Sequence, residues 1–328
     1  MKRGTKLLGL LSLLLIMFVI LMAIKASDLK KTGDDQTAET GETILAVSSN
    51  DVKEISWSYL GTEQKFIKDE TGAWKYSEDE LFPVDESVIN NMLLALSNVT
   101  SEKVIDTPED MTQYGLEPAL VKAAVTLTDG SGKIISFGDE SAISGEYYMS
   151  LGDGKVYMVD PSVVSPFKNS LMDAVKKEEI PEIDNITRFF IDGENIDVEI
   201  IKQEGGFTEE DSAYTWFWKT EDGEYLPLDS AKALTFMSNI TDLSLGRCMY
   251  YNASSLDLYN CRLDRPYFTA TVEYGDGQSF VFDVGTTDGL SLCGRIAGSN
   301  MIYEVDNSLA VTLLYMPYED LMPDELAQ

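Results

Sequence analysis

The alternation of apolar and polar positions is clearest between Trp74 and Val99, and the rest of the chain is read outward from there. Trp74-Lys75-Tyr76 alternates as a strand does. Phe82-Pro83-Val84-Asp85 follows, and then Val88, Ile89, Met92, Leu93 and Leu96 recur at helical spacing. Asp85 is placed to cap that helix, and Glu86 suits its first turn, where the helix dipole favours negative charge. One face of the helix must therefore cover a sheet.

Strands are predicted on both sides of it. Val52 to Tyr59, Gln64 to Lys68 and Ala73 to Tyr76 are joined by Gly61-Thr62 and Glu70-Thr71-Gly72 turns. Strict alternation in the first of these puts Val52 and Glu54 on one face and Lys53, Ile55 and Trp57 on the other. Tyr114-Gly115-Leu116-Glu117-Pro118 reads as a turn, because Gly accepts a backbone conformation that other residues resist and Pro stops a helix. Val121 to Thr128, Lys133 to Phe137, Tyr147 to Leu151 and Lys155 to Val159 then form a meander punctuated by Asp-Gly turns. Asp160-Pro161 ends it, and a short helical piece to about Val175 closes the unit.

The pattern occurs twice. Ile186 to Lys202 restarts the strands, and Trp218 and Pro227 stand 144 residues after Trp74 and Pro83. Leu263-Asp264, Val272, Asp276 and Gly285 follow Leu116-Glu117, Val125, Asp129 and Gly138 at an offset of 147, and Ile302-Tyr303 follows Val156-Tyr157 at 146. So small a drift points to duplication. The main insertion, Gln203 to Tyr214, is an acidic loop peculiar to the second copy. The expected fold class is α+β: two tandem repeats, residues 44–180 and 181–328, each an antiparallel meander sheet covered by one main helix.

Leu7 to Ile24 is a run of 18 uncharged, mostly apolar residues between Lys6 and Lys25. As a helix it would reach roughly 27 Å, close to the thickness of a hydrocarbon core. Residues 1–25 are expected to be an uncleaved anchor, with the short tail inside and the chain after Ala26 outside. A signal peptide cleaved near Ala23 or Ala26 is the alternative, although no Ala-x-Ala site is present. Residues 26–43 are polar and aperiodic and read as a flexible stalk, with order beginning near Ile44.

Charge and composition narrow the function. The chain carries 56 acidic and 25 basic residues, a net charge of -31, which disfavours nucleic acid and anionic lipid headgroups. It has no His, which removes Ser-His-Asp and Cys-His nucleophile pairs. No phosphate-binding Gly-rich motif occurs, so no nucleotide or dinucleotide is expected. No catalytic, cofactor-binding or metal-ligating residue is singled out.

Some groups can be weighed individually. Glu178-Glu179 and Glu209-Glu210-Asp211 read as solvated loop charges, and the Asp-rich turns lack the pattern of a calcium loop. Trp74, Trp216 and Trp218 could stack on sugars if exposed, but all three are expected in the core, because Trp74 and Trp218 stand at equivalent strand positions beside the helix. Cys248, Cys261 and Cys293 fall in the second copy without Cys-x-x-Cys spacing; one pair with a leftover thiol, or three buried apolar groups, both fit.

Trp74, Phe82-Pro83-Val84-Asp85, Tyr114-Gly115-Leu116, Gly138-Asp139, Tyr147-Tyr148 and Val156-Tyr157, in this order, resemble the bacterial domain-of-unknown-function family 4340. In the second copy Cys261-Arg262-Leu263 stands where that family has Tyr-Gly-Leu. The resemblance implies a membrane-tethered extracytoplasmic domain that accompanies ABC-type export systems, its partners being permease subunits or another envelope protein. With one apolar segment, a single-anchor form is expected rather than a two-anchor permease-like one. The functional expectation is a non-catalytic accessory or binding protein; the alternative is a carboxylate-dependent enzyme acting on cell-envelope glycans.

Overall fold

The computed structural model describes residues 41–326 except Asn195, Asp288 and Leu290. The expected anchor at Leu7 to Ile24 lies outside them. No helix among the described residues is long and apolar enough to cross a membrane. The architecture is mixed, with two large antiparallel sheets and few helices.

In chain order the first half comprises Glu42–Leu45 (β1), Val52–Tyr59 (β2), Thr62–Lys68 (β3), Trp74–Tyr76 (β4), Glu86–Ala95 (α1), Val99–Ser101 (β5), Lys103–Ile105 (β6), Val121–Leu127 (β7), Gly132–Glu140 (β8), Tyr147–Ser150 (β9), Val156–Val159 (β10) and Pro161–Val164 (α2). The second comprises Ile186–Gly193 (β11), Ile196–Lys202 (β12), Trp216–Lys219 (β13), Tyr225–Leu228 (β14), Ser230–Thr241 (α3), Cys248–Tyr250 (β15), Ser255–Asn260 (α4), Phe268–Tyr274 (β16), Gln278–Thr286 (β17), Leu292–Ile296 (β18), Ile302–Val305 (β19), Asn307–Tyr315 (α5) and Tyr318–Leu321 (α6).

The eight-stranded sheet runs β4-β3-β2-β7-β8-β9-β10-β6, and the nine-stranded sheet runs β14-β13-β12-β11-β16-β17-β18-β19-β15. Strand for strand the orders coincide, apart from β14 added at one edge. The helix caps coincide as well. Asp85 accepts from the Ser87 N–H and Asp229 from that of Lys232, while Asp160 and Asp306 cap α2 and α5 through Ser162 and Ser308. Each carboxylate satisfies a backbone donor that the helix itself leaves unpaired.

Helix α1 buries Ile89, Met92 and Leu93, the face set by the apolar period, and α3 buries Ala233, Phe236, Met237 and Ile240. A run of aromatic rings joins the first sheet to the second half. Trp57 stacks on Phe66 at 5.5 Å, Phe66 meets Phe82 edge-on at 6.0 Å, and Phe82 meets Tyr251 of the second half at 4.8 Å. Such pairs add about 0.5–1.5 kcal/mol each beyond the area they bury.

One expectation from simple alternation is corrected. Val52 lies on the core side with Ile55 and Trp57, because a bulge between Val52 and Glu54 in the pairing with β7 inserts one residue and turns the face over. The order expected near Ile44 begins with β1 at Glu42, which pairs with Ser101, so Glu42 and Thr43, assigned to the stalk, belong to the β1-β5 ribbon.

The segment between the sheets is engaged with both. The Asp85 N–H donates to the Ala174 carbonyl, and the Lys176 N–H to that of Pro83. Lys177 Nζ donates to the Leu245 carbonyl at 2.9 Å, and Tyr251 donates to Asp79 at 2.8 Å.

Candidate functional site

The turn at Tyr114-Gly115-Leu116 is tied to β8. Gly138 lies so close to the Tyr114 carbonyl that a Cβ there would overlap it, and Gly285 stands in the same relation to Cys261. The hydrogen bonds also correspond. The Gly115 and Leu116 N–H groups donate to Thr112 and Met111, and those of Arg262 and Leu263 to Tyr259 and Leu258. Gly115 has φ 65° and Arg262 φ 50°, so the second turn adopts the left-handed conformation without the residue that favours it.

Beside this second turn opens a cleft of about 1060 Å³, lined by Tyr259, Arg262, Asp264 and Arg265 from the turn, by Asp192 and Glu194 from the end of β11, and by Thr269 of β16 and Thr286 of β17. Arg262 and Arg265 form no ion pair among the described residues. Next to the cleft, Asp283 is nearly buried and accepts from Thr269 at 3.0 Å and from Arg295 at 3.1 Å, while Arg295 also donates to the Leu263 carbonyl. Ladder pairing places Ser136 and Ser150 where the second sheet has Asp283 and Arg295. The second sheet thus carries charges on a face where the first has hydroxyls, a difference visible only once the register is known.

The carboxylates singled out in the sequence do not converge. Glu209 and Glu210 are exposed. Asp211 accepts from the Phe207 and Thr208 N–H groups and closes its own loop. Glu178 is not a free loop charge: its N–H donates to the Tyr303 oxygen at 3.0 Å, and the Tyr303 hydroxyl donates to its carboxylate at 3.1 Å. Burial pushes the Tyr303 phenol far above its usual range.

Many other aspartates serve their own backbone. Asp69, Asp110, Asp129, Asp160, Asp257 and Asp306 each accept from a Ser or Thr two or three residues along the chain, first through its hydroxyl and then through backbone N–H groups, which holds their carboxyls below the usual value. No group of three His, Cys, Asp or Glu suited to a metal ion occurs among the described residues.

Trp74 and Trp216 are 3% and 5% exposed, whereas Trp218 is only partly buried. The ladder explains this and corrects the expected equivalence. Trp74 pairs with Lys68 and Trp216 with Lys202, so Trp216 is the counterpart of Trp74, and Trp218 that of Tyr76. Residues added between β13 and α3 had made the spacing to Pro227 match from Trp218 instead. All three cysteines are buried free thiols; burial pushes Cys248 up to about 11 and Cys293 to about 12.

No curated protein and no solved structure matches this chain. The family model described as Domain of unknown function (DUF4340) matches residues 74–213, from the β4 tryptophan through β10 and the β11-β12 hairpin to the loop before Trp216, leaving out β2 and β3 of the first sheet, and over that stretch the chain is similar to that family.

Proposed function

We propose that this chain is an internally duplicated, membrane-tethered extracytoplasmic protein that acts by binding, as an accessory of an ABC-type export system. The duplication is supported by the coincident strand orders and caps, and by the paired contacts of Gly138 and Gly285. The tether rests on the apolar run Leu7 to Ile24. An intact chain should stay with the membrane through a high-salt or alkaline wash; a soluble form beginning near Ser27 would refute the tether.

The observation that carries the binding reading is the cleft at the Cys261-Arg262-Leu263 turn, where Arg262 and Arg265 face solvent without ion-pair partners among the described residues, beside Asp192, Glu194 and Asp264. In so acidic a chain, two unpaired guanidiniums offer forked donors to a carboxylate or phosphate on a partner. The second reading, a carboxylate-dependent enzyme acting on envelope glycans, rests on the three acids in the same cleft.

Complementation of a deletion strain separates the two. Asp192→Asn, Glu194→Gln and Asp264→Asn should each retain function, and Arg262→Ala combined with Arg265→Ala should lose it. Loss of function from any one isosteric acid change, at an unchanged melting temperature, would favour the enzyme.

A further inference from the structure

The second copy replaces one contact of the first with a pair of thiols. Tyr114 and Tyr148 meet edge-on in the first half, with ring centroids 5.0 Å apart. Tyr148 pairs with Met158 across β9 and β10, and Cys293 pairs with Glu304 across β18 and β19, so Cys293 occupies the Tyr148 position. The matching contacts of Gly138 and Gly285 place Cys261 where Tyr114 stands. Two bulky rings have become two small sulfurs at the same pair of positions.

The sulfurs are together in space. Cys293 Sγ donates to the Cys261 carbonyl oxygen at 3.4 Å, and the two thiols also interact directly. Both belong to a small cluster with Ala253, Leu263 and Ile302, in which the segment carrying α4 packs on the outer face of the second sheet. Gly285, the β17 neighbour of Cys293, makes room for the Cys261 carbonyl. Cys248 is elsewhere. It pairs with Tyr303, the residue adjacent to Glu304, and lies in the main core on the opposite face of the sheet.

We propose that Cys261 and Cys293 form a disulfide when the chain folds in an oxidising compartment, with a small-molecule or protein disulfide as oxidant, and that Cys248 remains a thiol. One thiolate attacks the oxidant's S–S bond, giving a mixed disulfide and releasing one thiol. The second cysteine then displaces the other thiol and closes the Cys261–Cys293 bond. Two protons and two electrons leave the protein, and the oxidant's disulfide is reduced to two thiols. Burial raises both thiols of the folded, reduced protein, so closure belongs to the stage before the α4 segment docks on the sheet. The bond would staple that segment, and with it one wall of the cleft, to β18.

The test uses the full chain in detergent, refolded from denaturant with oxidised glutathione and then alkylated under denaturing, non-reducing conditions. Peptide mapping should find one alkylated cysteine, Cys248, and a cross-linked peptide joining Cys261 to Cys293. The oxidised form should melt roughly 5–10 °C above the reduced form. Cys293→Ser should make melting insensitive to reductant, whereas Cys248→Ser should leave the difference intact. Native reduced protein should oxidise more slowly than the refolding chain. Three alkylated cysteines after refolding, or a cross-link that includes Cys248, would overturn the proposal whatever the fate of the binding reading.

Discussion

Gly285 receives the carbonyl oxygen of Cys261 directly over its Cα, and no side chain could occupy that site without moving the turn. Gly138 does the same for Tyr114. Gly138→Ala and Gly285→Ala should therefore each destabilise the protein by about 1–3 kcal/mol, the usual cost of overpacking, read from the midpoint of urea unfolding. Gly130→Ala offers a comparison, since nothing lies near its missing Cβ and its cost comes from a positive φ alone.

Arg262 holds a left-handed conformation that costs a side-chain-bearing residue roughly 1–2 kcal/mol. Arg262→Gly should raise stability by about 0.5–1 kcal/mol after the entropy of the freed unfolded chain is subtracted. The reverse change in the first half, Gly115→Ala, should destabilise, because its Cβ would press on the Asp139 carboxylate as well. Equilibrium unfolding of both variants checks the pair, and a destabilised Arg262→Gly would count against the argument.

Trp74→Ala and Trp216→Ala should each cost about 3–5 kcal/mol, and Trp218→Ala distinctly less, since only the first two fill closed core sites. Thermal melts of the three variants decide whether the ladder equivalence or the sequence spacing describes the second half correctly.

Acid and alkali should act through different groups. The turn and cap aspartates have folded values below 3.8, so their stabilisation is present above that pH and is lost as pH falls through the depressed values. Cys248 and Cys293 shift the other way, from 9.0 to about 11 and about 12. Their contribution is whole below pH 9 and declines as pH climbs towards those values. The melting temperature of the reduced protein should be flat between these limits and fall at both ends; a Cys293→Ser variant should lose part of the alkaline fall.

Much of the fold could be read from local chemistry. Asp85, Asp160 and the Asp-Gly turns act within a few residues of themselves, and the spacing of Ile89, Met92 and Leu93 defines the covered face of α1. What escaped depended on register. The Val52 bulge, the Trp216 position and the Asp283–Arg295 pair are set by which residue lies across the ladder, information carried by neighbouring strands distant in sequence. The cleft escaped for a similar reason. Asp192 and Arg265 belong to segments over seventy positions apart, and only the adjacency of β11 and β16 brings them to one wall. One signal for it was present: Arg262 standing where the corresponding turn of the first half has Gly115.

The strand of chain that leaves Ala174 and passes Lys176, Lys177 and Glu178 is bonded to Pro83 and Asp85 on one side and to Leu245 and Tyr303 on the other. Severing the protein near residue 180 would strand Glu178 with the first sheet and leave the Tyr303 hydroxyl sealed in the second without its carboxylate partner. Neither fragment would inherit a finished surface. The two halves are therefore inheritors of one another's edges along this seam.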